Sequence, residues 1–264
     1  MKRYTRSLKT LILAAAVMSA NHAAISMSVD PVNLGAASGF AALAGSGMTV
    51  IGPTTITGDI GSYPTATLAV TGVLTLNGVN HAGDSVTQSA QAALVSAYND
   101  AGGRAYDLIY AGGFDLVGQT LNEGVYRSDS SLALSGTLTF DALGDPDAVF
   151  IIQTGSTLIT AAGSQVILVN GAQAANVIWQ IGSSATLATD SYFAGNLLAH
   201  DSITLNTGAT VDGRMLAMLG ALTFDSNTLT LVPEPDTLLL LGVGMLALAA
   251  FKRKPRHLTA KHGQ

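Results

Sequence analysis

Catalysis needs a base, a nucleophile or a metal site, and the 264-residue sequence supplies the residue types for these sparsely. Of its five histidines, His22, His257 and His262 lie near the ends, and only His81 and His200 fall in the central portion. They stand far apart and in no metal spacing such as HExxH, in which two imidazoles one helical turn apart share an ion. There is no cysteine, which removes thiolate nucleophiles, thiolate ligands and disulfides together. The aspartates mostly sit singly in turn contexts, as in Gly58-Asp59, Asp129-Ser130 and Val211-Asp-Gly213. Acid-base work on a polysaccharide would instead need carboxylates grouped in a groove. Asp141, Asp145 and Asp147 are the one close group. They carry the oxygen donors that suit calcium, although Gly144-Asp-Pro-Asp147 also reads as a simple turn. These residues assign no catalytic residue, metal site or cofactor.

Threonine, by contrast, recurs at a spacing. The phrases Thr137-Leu-Thr-Phe140, Thr157-Leu-Ile-Thr160, Thr186-Leu-Ala-Thr189, Thr204-Leu-Asn-Thr207 and Thr223-Phe-Asp-Ser226 begin 20, 29, 18 and 19 residues apart. A period near 20 residues is typical of solenoids, in which each repeat buries its apolar face against the next. The 29-residue interval keeps the period if Gly171 to Ala175, with its neighbours, forms an outward loop. Between the phrases lie β-branched runs, Val149-Phe-Ile-Ile152, Val166-Ile-Leu-Val169 and Val177-Ile-Trp-Gln180, separated by Gly-Ser, Ala-Gly and Asn-Gly punctuation. Short strands and turns at a fixed period describe a parallel β-helix. Equivalent positions on its successive rungs lie about 4.7 to 4.9 Å apart. Threonine at one outward position of each rung then builds a ladder of hydroxyls and methyls on a flat, uncharged face. Such a ladder can hold waters at fixed spacing. It is equally what the high β propensity of threonine and cross-rung hydrogen bonding would produce.

The rest of the chain must position that ladder. With 48% hydrophobic residues the chain can bury a large core, and 29 glycines with only 11% charged residues suit a turn-rich solenoid. All seventeen acidic residues lie between Asp30 and Asp236, where the only basic residues are Arg104, Arg127 and Arg214. A body so acidic cannot neutralise a phosphate backbone, which excludes nucleic acid as a partner. From Thr87 to about Ile109 the period changes. Ala90, Ala93, Leu94, Ala97, Tyr98, Ala101 and Ala105 fall at helical spacing, predicting one long helix over about 87–109 whose small face lies against the stack, with Gly102-Gly103 able to bend it. Val32 to Gly61 reads as early rungs of the same stack. Trp179 reads as core, and Arg214 is left either paired with an Asp of a neighbouring rung or solvated.

The two ends read as addresses. Residues 1–26 have a basic start (Lys2, Arg3, Arg6, Lys9), an apolar run from Leu11 to Ala20 and small residues at Ala24-Ile-Ser26, the parts of a signal peptide that signal peptidase removes. Val232-Pro-Glu-Pro235 precedes the apolar run Leu238 to Phe251 and the basic cluster Lys252-Arg-Lys254. The run is short for a full span, and the basic cluster behind it argues for a membrane segment over 238–251 with a cytoplasmic C-terminus. This order resembles the PEP-CTERM sorting signal. The resemblance implies that an exosortase-type enzyme acts near Pro233, Glu234 and Pro235 and delivers the protein to the cell surface or extracellular polysaccharide.

The body, about Val32 to Leu231, resembles the bacterial and fungal ice-binding proteins. The match is carried by Asn33-Leu-Gly-Ala-Ala-Ser-Gly-Phe40, Gly52-Pro-Thr-Thr-Ile-Thr-Gly-Asp-Ile-Gly61, Gly144-Asp-Pro-Asp-Ala-Val-Phe150, Asn176-Val-Ile-Trp-Gln-Ile-Gly-Ser-Ser-Ala-Thr-Leu187 and Ser202-Ile-Thr-Leu-Asn-Thr-Gly-Ala-Thr-Val-Asp-Gly-Arg214. The resemblance implies a right-handed β-helix of triangular cross-section with one long helix alongside, its N-terminal strands completing the stack beside C-terminal ones. It implies ice, or ordered water, as the partner. The family's ice-facing pattern is Thr, Ala or Gly, any residue, then Thr or Asn. Thr207-Gly-Ala-Thr210 fits it, Thr160-Ala-Ala-Gly163 fits at its start, and Thr189-Asp-Ser-Tyr192 departs through Asp190 and Tyr192. Val50 and Ile51 depart where the family often carries Asn and Thr. The expected organisation is a signal peptide (1–26), a monomeric solenoid (27–231) and a sorting signal (232–264). Thr157, Thr160, Thr186, Thr189, Thr204, Thr207 and Thr210 are the expected ice contacts. The alternative is a surface adhesin or matrix protein whose same face meets polysaccharide.

Overall fold

A computed structural model describes residues 28–232. The signal peptide, His22, Pro233, Glu234, Pro235, the apolar run 238–251 and the C-terminal basic residues lie outside the described residues. The described residues form a solenoid of parallel strands with three sides, plus one α-helix. The first face is an eight-stranded sheet. Its order runs Leu68–Val70, Met48–Val50, Leu222–Phe224, Ile203–Leu205, Ala185–Leu187, Leu158–Thr160, Leu132–Leu134, Phe114–Asp115. The second face holds Leu74–Asn77, Thr54–Thr57, Thr228–Thr230, the opening residues of Thr210–Ala217 and Tyr192–Ala199, then Gln165–Val169, Thr137–Asp141 and Thr120–Leu121. On the third face lie Asp59–Ser62, Phe40–Ala44, the closing residues of the two eight-residue strands, Val177–Ile181, Phe150–Thr154, Gly124–Ser128 and Leu108–Tyr110.

The stack is discontinuous in sequence. Met48–Val50 pairs with Leu222–Phe224 and Thr54–Thr57 with Thr228–Thr230, so the N-terminal rungs seat on the last C-terminal one. The third side of that last rung is Phe40–Ala44, whose Ala42 pairs with Met215 on one side and Ile60 on the other. Alternation along each strand drives this assembly, because every second side chain points inward. Leucines, isoleucines and phenylalanines stack down the axis, with Trp179 fully buried among Phe193 at 4.9 Å and Phe140 at 5.7 Å between ring centroids. The indole nitrogen donates to the Ala194 carbonyl at 3.1 Å, so its burial leaves no polar atom unmet.

The strands Tyr192–Ala199 and Thr210–Ala217 each bend from second to third face at a glycine. Gly195 and Gly213 have φ of +118° and +149°, and a Cβ on Gly213 would lie 1.9 Å from the Gly195 carbonyl oxygen. Two rungs close at that corner only because neither carries a side chain.

The helix runs Ser85–Gly103, starting before and ending before the expected 87–109. Asp84 caps it by accepting from the Thr87 amide at 2.9 Å. It stops where Gly102-Gly103 reaches the far rungs and Arg104 turns extended, because Leu108–Tyr110 is needed as a strand against Tyr126–Ser128. At about 1.5 Å per residue its length matches about six rungs. Ala90, Leu94, Ala97 and Ala101 form its buried stripe against Leu43, Leu216, Leu198, Ile178, Ile151 and Val125 of the third face. Gln91 donates to the carbonyls of Tyr63, Ala217 and Met218, and Gln153 of the sheet donates back to those of Ala101 and Arg104. With the third face covered, the first and second remain for solvent.

The long interval in the repeat is indeed a corner excursion, between Gln165–Val169 and Val177–Ile181, where Asn170 and Gln173 bond back to Asp141 and the Pro146 carbonyl. Arg214 is 1% exposed and donates to the Ser38 carbonyl and the Asn196 side chain, tying the N-terminal segment to the corner.

Candidate functional site

In the six inner strands of the first face the middle residue points outward between two buried neighbours, and Ala69 and Asp115 of the two end strands continue the line. Strand pairing puts these residues in one column: Ala69, Thr49, Thr223, Thr204, Thr186, Ile159, Ala133, Asp115. Four threonines in succession therefore stand about 4.7 to 4.9 Å apart. Each is half-buried against its neighbours, and each is β-branched, which holds χ1 to few rotamers. Beside this column runs a turn column of Gly47, Ala221, Ser202, Ser184, Thr157 and Ser131, whose carbonyls accept amides of the adjoining rungs. On the other side lie Ile51, Asp225, Asn206, Ala188, Ala161 and Ser135. Apart from Asp225 and the terminal Asp115, this surface is uncharged, and the Asp225 carboxylate is engaged by the Thr207 and Ser226 hydroxyls.

The second face carries two outward columns. Thr75, Thr55, Thr228 and Thr210 are followed by Tyr192 and Gln165, with Asn77, Thr57, Thr230 and Asp212 alongside. Here the Tyr192 ring breaks the level, and its hydroxyl donates to Asp212. Burial first, and then that carboxylate, push the phenol up to about 12, so it stays protonated.

The seven expected threonines are not one surface. Thr186 and Thr204 lie in the first-face column. Thr157 is in the turn column, its hydroxyl 2.8 Å from that of Ser131. Thr189 and Thr207 are exposed in the turns between first and second faces, and Thr210 opens a second-face strand. Thr160 needs correction as a contact: it takes an inward position, is 4% exposed and accepts the Ala188 amide. The phrase repeat misleads because the strands align Ile159, not Thr157, with Thr186.

Thr223 and Thr49 complete the column and were missed as contacts. Thr223 keeps the 19-residue step, and Thr49 carries the signal of an outward residue between apolar Met48 and Val50. Val50 is therefore no departure, being 1% exposed and inward, whereas Ile51 is 51% exposed beside the column. Asp190 sits at φ +55°, a left-handed corner position that Gly163 and Gly208 fill on the adjoining rungs and that Asp tolerates better than most residues.

The remaining polar residues serve structure. His81 bridges Asp59 (Nε2 to Oδ2, 3.0 Å) and the helix-capping Asp84 (Nδ1 to Oδ2, 3.2 Å); the bond to Asp59 leads the effects that raise its pKa. His200 contacts Asp201, which also accepts from Ser183. Asp141 accepts from the Leu143 amide and Asp145 from that of Asp147, which is turn chemistry. Among the described residues no group of three His, Asp or Glu is placed to hold a metal, and no helix is long and apolar enough to cross a membrane.

With this geometry in view, residues 42–230 match the Ice-binding-like family. The chain belongs to that family. Residues 231–254 match the PEP-CTERM protein-sorting motif. An ice-binding protein of Nostoc sp. (strain HG1) is 43% identical over 237 residues, covering 84% of this chain and 87% of the relative. One from Flavobacterium frigoris (strain PS1) is 34% identical over 218 residues, 77% of each chain. Among solved structures, an ice-binding protein from an Antarctic biological consortium aligns with a TM-score of 0.74 at 44% identity, covering 78% of this chain and 93% of its own. That of the Antarctic ascomycete Antarctomyces psychrotrophicus aligns at 0.70 with 40% identity, over 78% of this chain and 100% of its own. The aligned part of this chain thus spans 93% and 100% of those two solved chains.

Proposed function

We propose that the protein binds ice through its first face and inhibits the growth and recrystallisation of the bound crystal. The observation that carries this is the unbroken column Thr49, Thr223, Thr204, Thr186, continued by Ala69, Ile159 and Ala133, on a surface of a chain whose family is ice-binding-like. Hydroxyls fixed by the strand spacing anchor waters at a repeat, while the methyls between them keep competing water away. The stiff scaffold orders these groups before contact, so little conformational entropy is lost on adsorption. Thr157, Thr189 and Thr207 border the column and extend the wetted edge, Thr210 lies on the second face, and Thr160 supports the column from within. No substrate is turned over, and one copy presents a complete face. The second face is the poorer candidate because Tyr192 and Asp212 interrupt it. The relatives, described as ice-binding proteins, give no support to polysaccharide adhesion.

The protein is exported with removal of residues 1–26, and an exosortase-type enzyme acts at Pro233, Glu234 and Pro235, with 238–251 serving as a short membrane segment. The sorting-motif match over residues 231–254 supports the export and the sorting step. The test of ice binding is adsorption of the fluorescently labelled body, residues 27–232, to a slowly growing ice hemisphere. Fluorescence concentrated in the ice supports the reading. Exclusion of the folded body to the level of a protein without ice affinity refutes it.

A further inference from the structure

We infer that attachment through the C-terminus holds the body with its first face turned away from the attachment surface, making the protein a means of fastening that surface to ice rather than only a freely diffusing inhibitor. This rests on the first face being the ice-binding one.

The geometry follows from where the chain leaves the stack. Thr230 pairs with Asp212 and with Thr57, so Leu231 stands level with Gly213 and Gly58. In the rungs on either side, those two glycines are where the chain passes from second to third face and continues as Arg214 to Ala217 or Asp59 to Ser62. After Leu231 it cannot do the same. Phe40–Ala44 already fills the third side of that rung, paired on both edges, and a Cβ on Gly58 would lie 2.8 Å from the Cβ atoms of both Ala41 and Leu231. Leu231 and Val232, the last described residues, therefore stand at the corner between second and third faces, off the third side of that rung. In a three-sided rung that corner is opposite the first face.

Two further facts make the exit directional. Leu231 donates its amide to the Thr57 carbonyl, and both Leu231 and Val232 pack on the core, so the body grips the chain up to the sorting motif. Five residues, 233–237, then separate the described body from the apolar run that begins at Leu238, a reach of about 17 Å even when fully extended. A tether this short does not let the body turn over, so many attached copies present their first faces together.

The native chain has no cysteine, so one added thiol sets the attachment point. Residues 27–235 followed by a single cysteine, and residues 27–235 carrying Leu219→Cys, are linked to maleimide beads at equal density. Leu219 is 60% exposed at the corner between third and first faces, where attachment would turn the second face outward instead. Beads linked through the C-terminus should remain on an ice surface under flow at least about tenfold more often than beads linked through residue 219, since avidity requires geometry that lets many sites engage together. Equal retention, or better retention through residue 219, overturns the inference. The same two proteins, thiol-capped and free, are tested for adsorption to ice alongside. If both adsorb and the C-terminal beads do not hold, presentation fails while the ice-binding reading stands. If neither adsorbs, the ice-binding reading fails and the inference falls with it.

Discussion

A threonine on a strand offers one hydroxyl and one methyl from a stiff Cβ, and its effect here depends on which way the pleat turns it. Thr160 and Thr189 hold the same place in the repeated phrase, yet the first is an internal hydrogen-bond acceptor and the second is exposed. Thr160→Ala should therefore lower stability by about 1 to 2 kcal/mol, because the Ala188 amide loses its partner, and leave adsorption to ice unchanged; denaturant unfolding with an ice-adsorption assay checks both. His81 gives a prediction in pH. Its folded pKa is raised by Asp59 and Asp84, so its stabilisation is complete below the unfolded value of about 6.5 and is lost as pH climbs through the higher folded value. Asp84 is held low, chiefly by the Thr87 amide, so its contribution is lost as pH falls below the ordinary carboxylate range. Thermal melts should show wild type losing stability from neutral to mildly alkaline pH, with His81→Gln flat over that interval. A parallel slope in both would contradict the clip.

At the scale of elements, the helix was legible from its alanine spacing because a helix lying on a flat sheet needs small residues. Its end was not, since Ala105 and Ile109 continue the period after Gly102-Gly103 has stopped the helix; only the demand for a strand at Leu108–Tyr110 decides the boundary. Asp84→Ala removes the cap and one partner of His81, and should lower the unfolding midpoint in denaturant titration. The corner between second and third faces depends on backbone touching backbone. Gly213→Ala brings a Cβ against the Gly195 carbonyl oxygen and should destabilise more than Asp84→Ala in the same assay.

For the whole molecule, the period of about 20 residues announced the solenoid, and the family resemblance implied that its ends interleave. The threonine column was only half legible. Thr49 lies 174 residues before Thr223 in sequence, yet they pair directly, and no local spacing reveals a neighbour supplied by discontinuous stacking. Residues 231–254 match a sorting motif, while the described body provides the face and the corner from which the chain leaves. The most direct test of the first face as the ice-binding surface is thermal hysteresis of the body with Thr204→Tyr against Thr228→Tyr, with folding verified by circular dichroism. Thr204 is central to the first-face column and Thr228 sits at an equally outward place on the second. Loss of even one anchoring contact worth about 1.4 kcal/mol is tenfold in affinity, and a ring held proud of the column removes several. Activity should collapse in Thr204→Tyr and persist in Thr228→Tyr. The reverse result would assign ice to the second face and contradict the account.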